Sequence, residues 1–179
     1  MSKIICVADL YGLGGIVTSP GMATLADKIK ALGSDFVVLG PYDQSQWQQA
    51  AADLAKRPAT DVVAAIGYSL GANNIAAMAA ALGRRVQYLA GIQPSYWGMG
   101  VDWSGSIALP DNVRFALCIY NPSWAATVGL GYARYAAAVL SSSPPSLHLL
   151  TTNDLHADVD NDAGVHGLIL RGLQNIAGG

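Results

Sequence analysis

The sequence predicts an α/β protein, a three-layer α/β/α sandwich with a mostly parallel sheet. Strand-like and helix-like segments alternate along all 179 residues, which is the pattern of a sheet covered on both faces. The strand-like segments are nearly continuous apolar runs, as expected where helices bury both sides of a parallel sheet. No internal repeat or long linker divides the chain. We therefore predict a single domain over residues 1–179.

The predicted strands are short runs rich in aliphatic residues. They span Ile4–Ala8, Phe36–Leu39, Val62–Ile66, Val86–Ala90, Val113–Tyr120 and Leu147–Thr151. Longer segments with helical patterns occupy Thr24–Leu32, Gln46–Lys56, Leu70–Leu82, Gly131–Leu140 and Val165–Ile176. Length and periodicity separate the two kinds of element. The stretches Gln93 to Asn112 and Asn153 to Gly164 interrupt the alternation and are predicted to be loops.

The composition excludes several classes of protein. Hydrophobic residues make up 52% of the chain, which indicates a large core and not a disordered chain. The net charge is −2 and no run of Lys or Arg occurs, so the sequence does not indicate nucleic-acid binding. No segment has the roughly 18 apolar residues of a membrane span. Cys6 and Cys118 fall in separate predicted strands, so we expect free thiols and a cytoplasmic location.

The run Gly67-Tyr68-Ser69-Leu70-Gly71 lies between an apolar strand and an alanine-rich helix. A strand, a Gly-x-Ser-x-Gly turn and a helix form a nucleophile elbow, which exposes the serine hydroxyl above a parallel sheet. The glycines allow the turn to pack closely against both elements. Ser69 is therefore the candidate nucleophile. The alternative is a helix-entry turn with a buried or capping serine.

A serine nucleophile needs a general base, and the chain has three histidines. His148 lies inside the last strand, where we expect a core or face residue. His166 lies in the first turn of the C-terminal helix, where we expect a solvated position. His156 follows the last strand and so emerges at the same sheet edge as Ser69. We predict that His156 is the base, the alternative being an exposed loop histidine.

Aromatic residues also emerge at this edge. Tyr96, Trp97 and Trp103 follow the fourth predicted strand, and ligands of open parallel sheets bind at the carboxyl ends of the strands. These side chains either line an acyl pocket or form a surface lid without specificity.

Three segments of the chain carry a resemblance to a known family. They are Phe36–Tyr42, Ile66–Ala72 and Asp154–Asp160, and they resemble the small serine hydrolases of the α/β-hydrolase superfamily. The resemblance spans nearly the whole chain and implies a minimal α/β-hydrolase fold. It also implies the order serine, acid, histidine, which Ser69 and His156 keep.

The first strand adds a second point of resemblance. Tyr11-Gly12-Leu13-Gly14-Gly15 is similar to the His-Gly-x loop of these hydrolases, with Tyr11 in the place of the histidine. The resemblance implies that the N–H groups of Leu13 and Leu70 form an oxyanion hole and that Tyr11 lies at the substrate. The alternative is a glycine-rich turn between a strand and a helix.

The acid is missing from its usual place. In the superfamily it follows the penultimate strand, and the segment Cys118–Trp124 contains no Asp or Glu. Asn121 could orient the imidazole through its side-chain carbonyl, as in a Cys-His-Asn arrangement. Asp154 or Asp102 could substitute for it, and a Ser–His dyad is the remaining alternative.

Two other motifs, a dinucleotide-binding pattern and a calcium loop, are incomplete in this sequence. Gly12 and Gly14 begin a dinucleotide-binding pattern, but Val17 stands where the third glycine belongs. The acidic run Asp158–Asp162 has the spacing of a calcium loop without its glycine and final glutamate. We therefore predict no cofactor and no metal.

Together these features predict a serine hydrolase that cleaves a carboxylic ester or thioester of a small-molecule acyl substrate through an acyl-enzyme. The missing acid and the sparsely charged surface support an alternative, a catalytically degenerate binding or assembly module. An oligomer is possible under either hypothesis.

Overall fold

The structure is a computed structural model that describes residues 4–10, 19–96, 104–122, 131–137 and 145–179. The main sheet contains β1 (Ile5–Leu10), β2 (Phe36–Tyr42), β3 (Val62–Tyr68), β4 (Val86–Ile92), β7 (Val113–Tyr120) and β9 (Ser146–Thr151). A second sheet contains β5 (Ser95–Tyr96), β6 (Ser104–Leu109) and β8 (Gly131–Ala137). The helices are α1 (Pro20–Lys30), α2 (Trp47–Ala55), α3 (Leu70–Ala81), α4 (His156–Val159) and α5 (Ala163–Gly178).

All neighbouring strands of the main sheet are parallel, in the order β2–β1–β3–β4–β7–β9. The six predicted strands are therefore confirmed, with slightly different ends. The chain moves from β1 to one side for β2 and then to the other side for β3. Such a reversal leaves a crevice at the carboxyl ends of the strands, where ligands bind.

Helices cover both faces of this sheet, as predicted. Along β1, Cys6 and Ala8 join the buried cluster that includes residues of α2 and α3. Ile5 and Val7 join the opposite cluster, which includes residues of α1 and α5. This alternation explains why the strands are apolar throughout. Cys6 and Cys118 are both buried and free, as expected.

The predicted helix Gly131–Leu140 is wrong. Its described part is β8, which pairs with β5 and β6. Alanine favours a helix by intrinsic propensity, but Tyr135 overrides it here. The Tyr135 ring is buried, its tip lies against Gly91, and its hydroxyl donates a hydrogen bond to the Ala72 carbonyl at 2.5 Å. Tertiary packing therefore selects the strand.

The two predicted loops contain structure as well. Gln93 to Asn112 includes β5 and β6, and Asn153 to Gly164 includes α4. Helix α1 begins earlier than predicted, at Pro20, because the Ser19 hydroxyl accepts from Met22 N at 3.0 Å and caps the helix. Within the described ranges, no helix has the length and apolar character needed to cross a membrane.

Candidate active site

Ser69 occupies a sharp turn between β3 and α3. Its backbone has φ 58° and ψ −123°, and its side chain makes no capping hydrogen bond to α3. A Cβ atom on Gly67 would lie 2.6 Å from the carbonyl of Gly71, so the turn needs glycine at that position. This geometry is that of a nucleophile elbow and does not fit the capping alternative.

His156 lies over the elbow as the first residue of α4. Its Nε2 is 2.9 Å from Ser69 Oγ. The Tyr68 ring stacks on the imidazole, with centroids 4.9 Å apart and planes at 25°. The Tyr68 hydroxyl also donates a hydrogen bond to the His156 carbonyl. The residue before the serine thus holds the histidine in place.

The other imidazole nitrogen contacts Gln93. Gln93 Oε1 is 2.7 Å from His156 Nδ1, and Gln93 Nε2 donates to the Asp154 carbonyl at 3.3 Å. A carbonyl oxygen can only accept a hydrogen bond, so the Gln93 atom that faces the Asp154 carbonyl must be the amide nitrogen. The amide oxygen of Gln93 therefore faces the imidazole. Nδ1 then carries the proton, and the lone pair of Nε2 points toward Ser69.

Gln93 follows β4 directly and is almost fully buried. Its backbone has φ 43°, and its N–H donates to the Ile119 carbonyl at 2.7 Å. Among the described residues, Ser69 and Gln93 are the two non-glycine residues with positive φ. Strained backbone of this kind costs about 1–3 kcal/mol and clusters at functional sites. Both strained residues here contact the same histidine.

The structure places Gln93 where Asn121, Asp154 or Asp102 was expected. Asn121 Nδ2 donates to the Asp154 carbonyl at 2.9 Å, and the Asp154 carboxylate accepts from Thr152 Oγ1 at 2.5 Å. Asp102 lies outside the described residues. Gln93 was not predicted from the sequence, because the superfamily acid follows the penultimate strand, which is β7 here. Strands β4 and β7 are neighbours, so a polar residue after β4 reaches the same histidine.

Ser95 is a further contact that the sequence did not indicate. Its Oγ lies 2.8 Å from Ser69 Oγ, and its side chain is buried. The Ser95 carbonyl accepts from Asn73 Nδ2 at 2.5 Å, which ties it to the first turn of α3. The segment Gln93–Ser95 therefore contacts both the serine and the histidine.

Burial controls the charge of the site. It lowers the pKa of His156 to about 4, against an opposing effect of the Asp160 carboxylate. His156 is therefore neutral near pH 7, the state that a general base requires. Burial also raises the pKa of Tyr68, with Asp160 and Asp158 adding to the effect. In the described part of the chain, no group of His, Cys, Asp and Glu could hold a metal ion.

The remaining predicted residues are only partly described. Leu70 is the first residue of α3, so its N–H is among those that a helix leaves without an internal partner. The Tyr96 backbone lies in β5. Outside the described residues lie the other expected oxyanion donor and three expected substrate contacts: Leu13, Tyr11, Trp97 and Trp103.

The other two histidines lie away from the elbow contacts. His166 is buried, and the expectation of a solvated position is wrong. Its Nδ1 lies 2.8 Å from Lys28 Nζ and its Nε2 lies 2.6 Å from the Asp160 carbonyl. His148 is exposed on the edge strand β9. Neither histidine has a hydrogen bond to Ser69 among these contacts.

Comparison with known proteins identifies the fold. The sequence matches no protein-family model and no curated protein. The structure is similar to an α/β serine hydrolase without a lid from Xanthomonas campestris, with 17% identity, a TM-score of 0.58 and coverage of 98% of this chain and 84% of that one. It is also similar to Est1E from Butyrivibrio proteoclasticus, with 15% identity, a TM-score of 0.56 and coverage of 97% and 90%. The chain has the α/β-hydrolase fold that the resemblance implied.

Proposed function

We propose that this protein is a serine hydrolase that cleaves a carboxylic ester or thioester through an acyl-enzyme. One observation carries the proposal: Ser69 Oγ, on a strained elbow, lies 2.9 Å from Nε2 of His156. Serine requires such a base within hydrogen-bond distance to act as a nucleophile near neutral pH.

The first half of the reaction forms the acyl-enzyme. Ser69 Oγ attacks the carbonyl carbon while its proton passes to His156 Nε2. The Leu70 N–H, with the Leu13 N–H as the second donor, binds the oxygen on which negative charge develops. The tetrahedral intermediate then collapses, and the imidazolium gives its proton to the departing alcohol or thiol.

The second half releases the acid. A water molecule attacks the acyl carbon, His156 takes its proton, and the proton returns to Ser69 Oγ as the ester bond breaks. Throughout both halves Gln93 Oε1 accepts from the N–H at Nδ1, 2.7 Å away. In this proposal Gln93 is the residue that orients the imidazole, and the Asp154 carbonyl accepts from both Gln93 Nε2 and Asn121 Nδ2.

Substitution of the nucleophile tests the proposal directly. In Ser69→Ala we expect turnover of short p-nitrophenyl esters to vanish while the free energy of unfolding in urea falls by only about 1 kcal/mol, because the hydroxyl does not cap α3 and its described contacts are the hydrogen bonds to His156 and Ser95. A fluorophosphonate probe should label Ser69 in the wild type, with the adduct mapped by mass spectrometry. Ser146→Ala, at an exposed position on β9, is the matched control and should keep both properties. Retained turnover in Ser69→Ala would contradict the proposal.

A second candidate function has its own support. Gln93 is uncharged, and the pKa of His156 is about 4, so the pair lacks the carboxylate that stabilises an imidazolium in the usual triad. A catalytically degenerate binding or assembly module would have this arrangement. The absence of a fluorophosphonate adduct on folded protein, together with an oligomer on size-exclusion chromatography, would favour that function.

The proposal extends to the domain, the substrate and the cellular compartment of the reaction. We infer a single domain over residues 1–179 that acts on a small-molecule acyl substrate. Free buried thiols at Cys6 and Cys118 suit a reducing compartment such as the cytoplasm.

A further inference from the structure

The nucleophile has a second hydrogen-bond partner besides its base. Ser95 Oγ lies 2.8 Å from Ser69 Oγ, and only 2% of the surface of Ser95 is exposed. The reaction steps proposed above use His156, Gln93 and backbone N–H groups, and they leave this hydroxyl without a role. A buried hydroxyl in contact with the reacting oxygen is nevertheless placed to affect its charge.

The direction of this hydrogen bond follows from the neighbouring contacts. The amide oxygen of Gln93 accepts from His156 Nδ1, so His156 Nε2 carries no proton. Nε2 can then only accept, and the single hydroxyl proton of Ser69 lies in the 2.9 Å contact with it. Ser69 Oγ has no second proton to offer, so the Ser95 hydroxyl is the donor in the 2.8 Å contact.

The backbone on both sides holds this donor in place. Ser95 pairs with Tyr132 where β5 and β8 run antiparallel. Its carbonyl accepts from Asn73 Nδ2, in the first turn of α3, at 2.5 Å. Because α3 begins at Leu70, the residue after Ser69, the same helix fixes both hydroxyl groups relative to each other. A donor that is already in position stabilises developing charge without reorganisation during the reaction.

We propose that Ser95 is a further catalytic residue, whose hydroxyl donates a hydrogen bond to Ser69 Oγ as negative charge develops there during attack. This role rests on the proposed hydrolase function. The proton of Ser69 moves to His156 Nε2, the bond from Oγ to the acyl carbon forms, and Ser95 keeps its own proton throughout. A hydrogen bond to a charged oxygen is about twice as strong as one to a neutral oxygen, so the contact stabilises the transition state more than the free enzyme.

The neutral side chain of Gln93 makes this donor important. In the usual triad a carboxylate stabilises the imidazolium that forms when the histidine takes the proton. Gln93 brings no negative charge to Nδ1, and burial favours the neutral form of His156 despite the Asp160 carboxylate. Stabilisation of the negative charge on Ser69 therefore offsets part of what the imidazolium lacks.

Removal of the Ser95 hydroxyl tests this role. In Ser95→Ala we expect kcat for p-nitrophenyl acetate and the rate of fluorophosphonate labelling at Ser69 to fall by about tenfold to a hundredfold, with little change in KM. Ser95→Cys keeps a side chain of similar shape that is only a weak donor, and it should share most of this loss. Ser106→Ala, at an exposed position on β6 of the same small sheet, is the matched control and should keep the wild-type rates. Wild-type rates in Ser95→Cys would show that Ser95 acts by packing and would overturn its role as a donor.

The pH profile separates loss of the donor from a loosened site. The donor acts on Ser69, so Ser95→Ala should lower the plateau of kcat/KM and leave the acid limb at about pH 4, where the pKa of His156 places it. A limb displaced toward pH 6.5, the ordinary pKa of histidine, would show that His156 had become hydrated and would overturn the role of Ser95 as a donor. An unchanged or faster rate of labelling in folded Ser95→Ala would also overturn that role and leave the hydrolase function standing. Wild-type protein that is neither labelled nor active on p-nitrophenyl esters would overturn both proposals.

Discussion

At the scale of single residues, Gln93 distinguishes this site from the usual serine triad. Its amide oxygen lies 2.7 Å from His156 Nδ1 and accepts a hydrogen bond from it, and the hydrogen bond from Gln93 Nε2 to the Asp154 carbonyl fixes the orientation of the amide. An amide that presented its NH₂ group would force the wrong tautomer on the histidine. Gln93 therefore supplies orientation without charge, and the basicity of the histidine depends on its burial.

Burial of His156 sets the pH dependence that we expect of the proposed activity. In the proposed mechanism His156 must be deprotonated, and burial lowers its pKa to about 4 from an ordinary value of about 6.5. We expect kcat/KM to rise as the pH increases through about 4 and to be level from pH 6 to pH 8. The rate of fluorophosphonate labelling should follow the same curve. A half-maximal rate near pH 6.5, in protein shown by circular dichroism to be folded, would contradict the assignment.

Substitutions at Gln93 separate orientation from charge. Gln93→Ala removes the acceptor at Nδ1, and we expect kcat to fall by about tenfold to a hundredfold with little change in KM. Gln93→Glu places a carboxylate next to the imidazole, which raises the pKa of His156 and should move the acid limb of the pH profile upward. A purely structural role for Gln93 would leave that limb at about pH 4 in Gln93→Glu.

The residues of the site differ in how far the sequence could reveal them. Ser69 was predictable because the glycine spacing and the flanking strand and helix are local features. His156 was predictable because few histidines compete with it. Gln93 was not, since glutamine is no standard triad member and its direction depends on a backbone φ of 43° and a distant carbonyl. Such features exist only after the chain has folded.

At the scale of elements, the β3–α3 turn depends on close backbone contact. A methyl group on Gly67 would lie 2.6 Å from the Gly71 carbonyl, which forces the strand and the helix apart. We expect Gly67→Ala to lower the free energy of unfolding in urea by about 1–3 kcal/mol and to slow fluorophosphonate labelling. Gly178→Ala, where the added methyl group meets nothing within 4 Å, should change neither property. Equal effects of the two substitutions would show that the turn tolerates a Cβ.

The elements also differ in how well the sequence predicts them. The six strands of the main sheet are apolar on both faces because α1, α2, α3 and α5 cover them, and that pattern is visible locally. Strand β8 has an alanine-rich sequence that favours a helix. Its partners β5 and β6 precede it in the chain by more than twenty residues, so its pairing leaves no local pattern.

At the scale of the whole molecule, Tyr135 connects the second sheet to helix α3, which packs on the main sheet. Its buried hydroxyl donates to the Ala72 carbonyl in α3. We expect Tyr135→Phe to lower the free energy of unfolding by about 1 kcal/mol, the net value of one hydrogen bond. Tyr88→Phe is the control, because the described residues offer no hydrogen-bond partner to the Tyr88 hydroxyl, which packs against Gly172. A larger loss of unfolding free energy in Tyr88→Phe than in Tyr135→Phe would contradict this role of the Tyr135 hydroxyl.

The two buried cysteines allow local opening of the main sheet to be measured by alkylation. Cys6 lies in β1 and Cys118 in β7, both without solvent exposure. An alkylating reagent can therefore reach each sulfur only while that part of the sheet is transiently open. β1 lies between β2 and β3, and β7 lies between β4 and β9. The two alkylation rates would thus time the opening of opposite halves of the sheet separately, in the native protein and without any introduced probe.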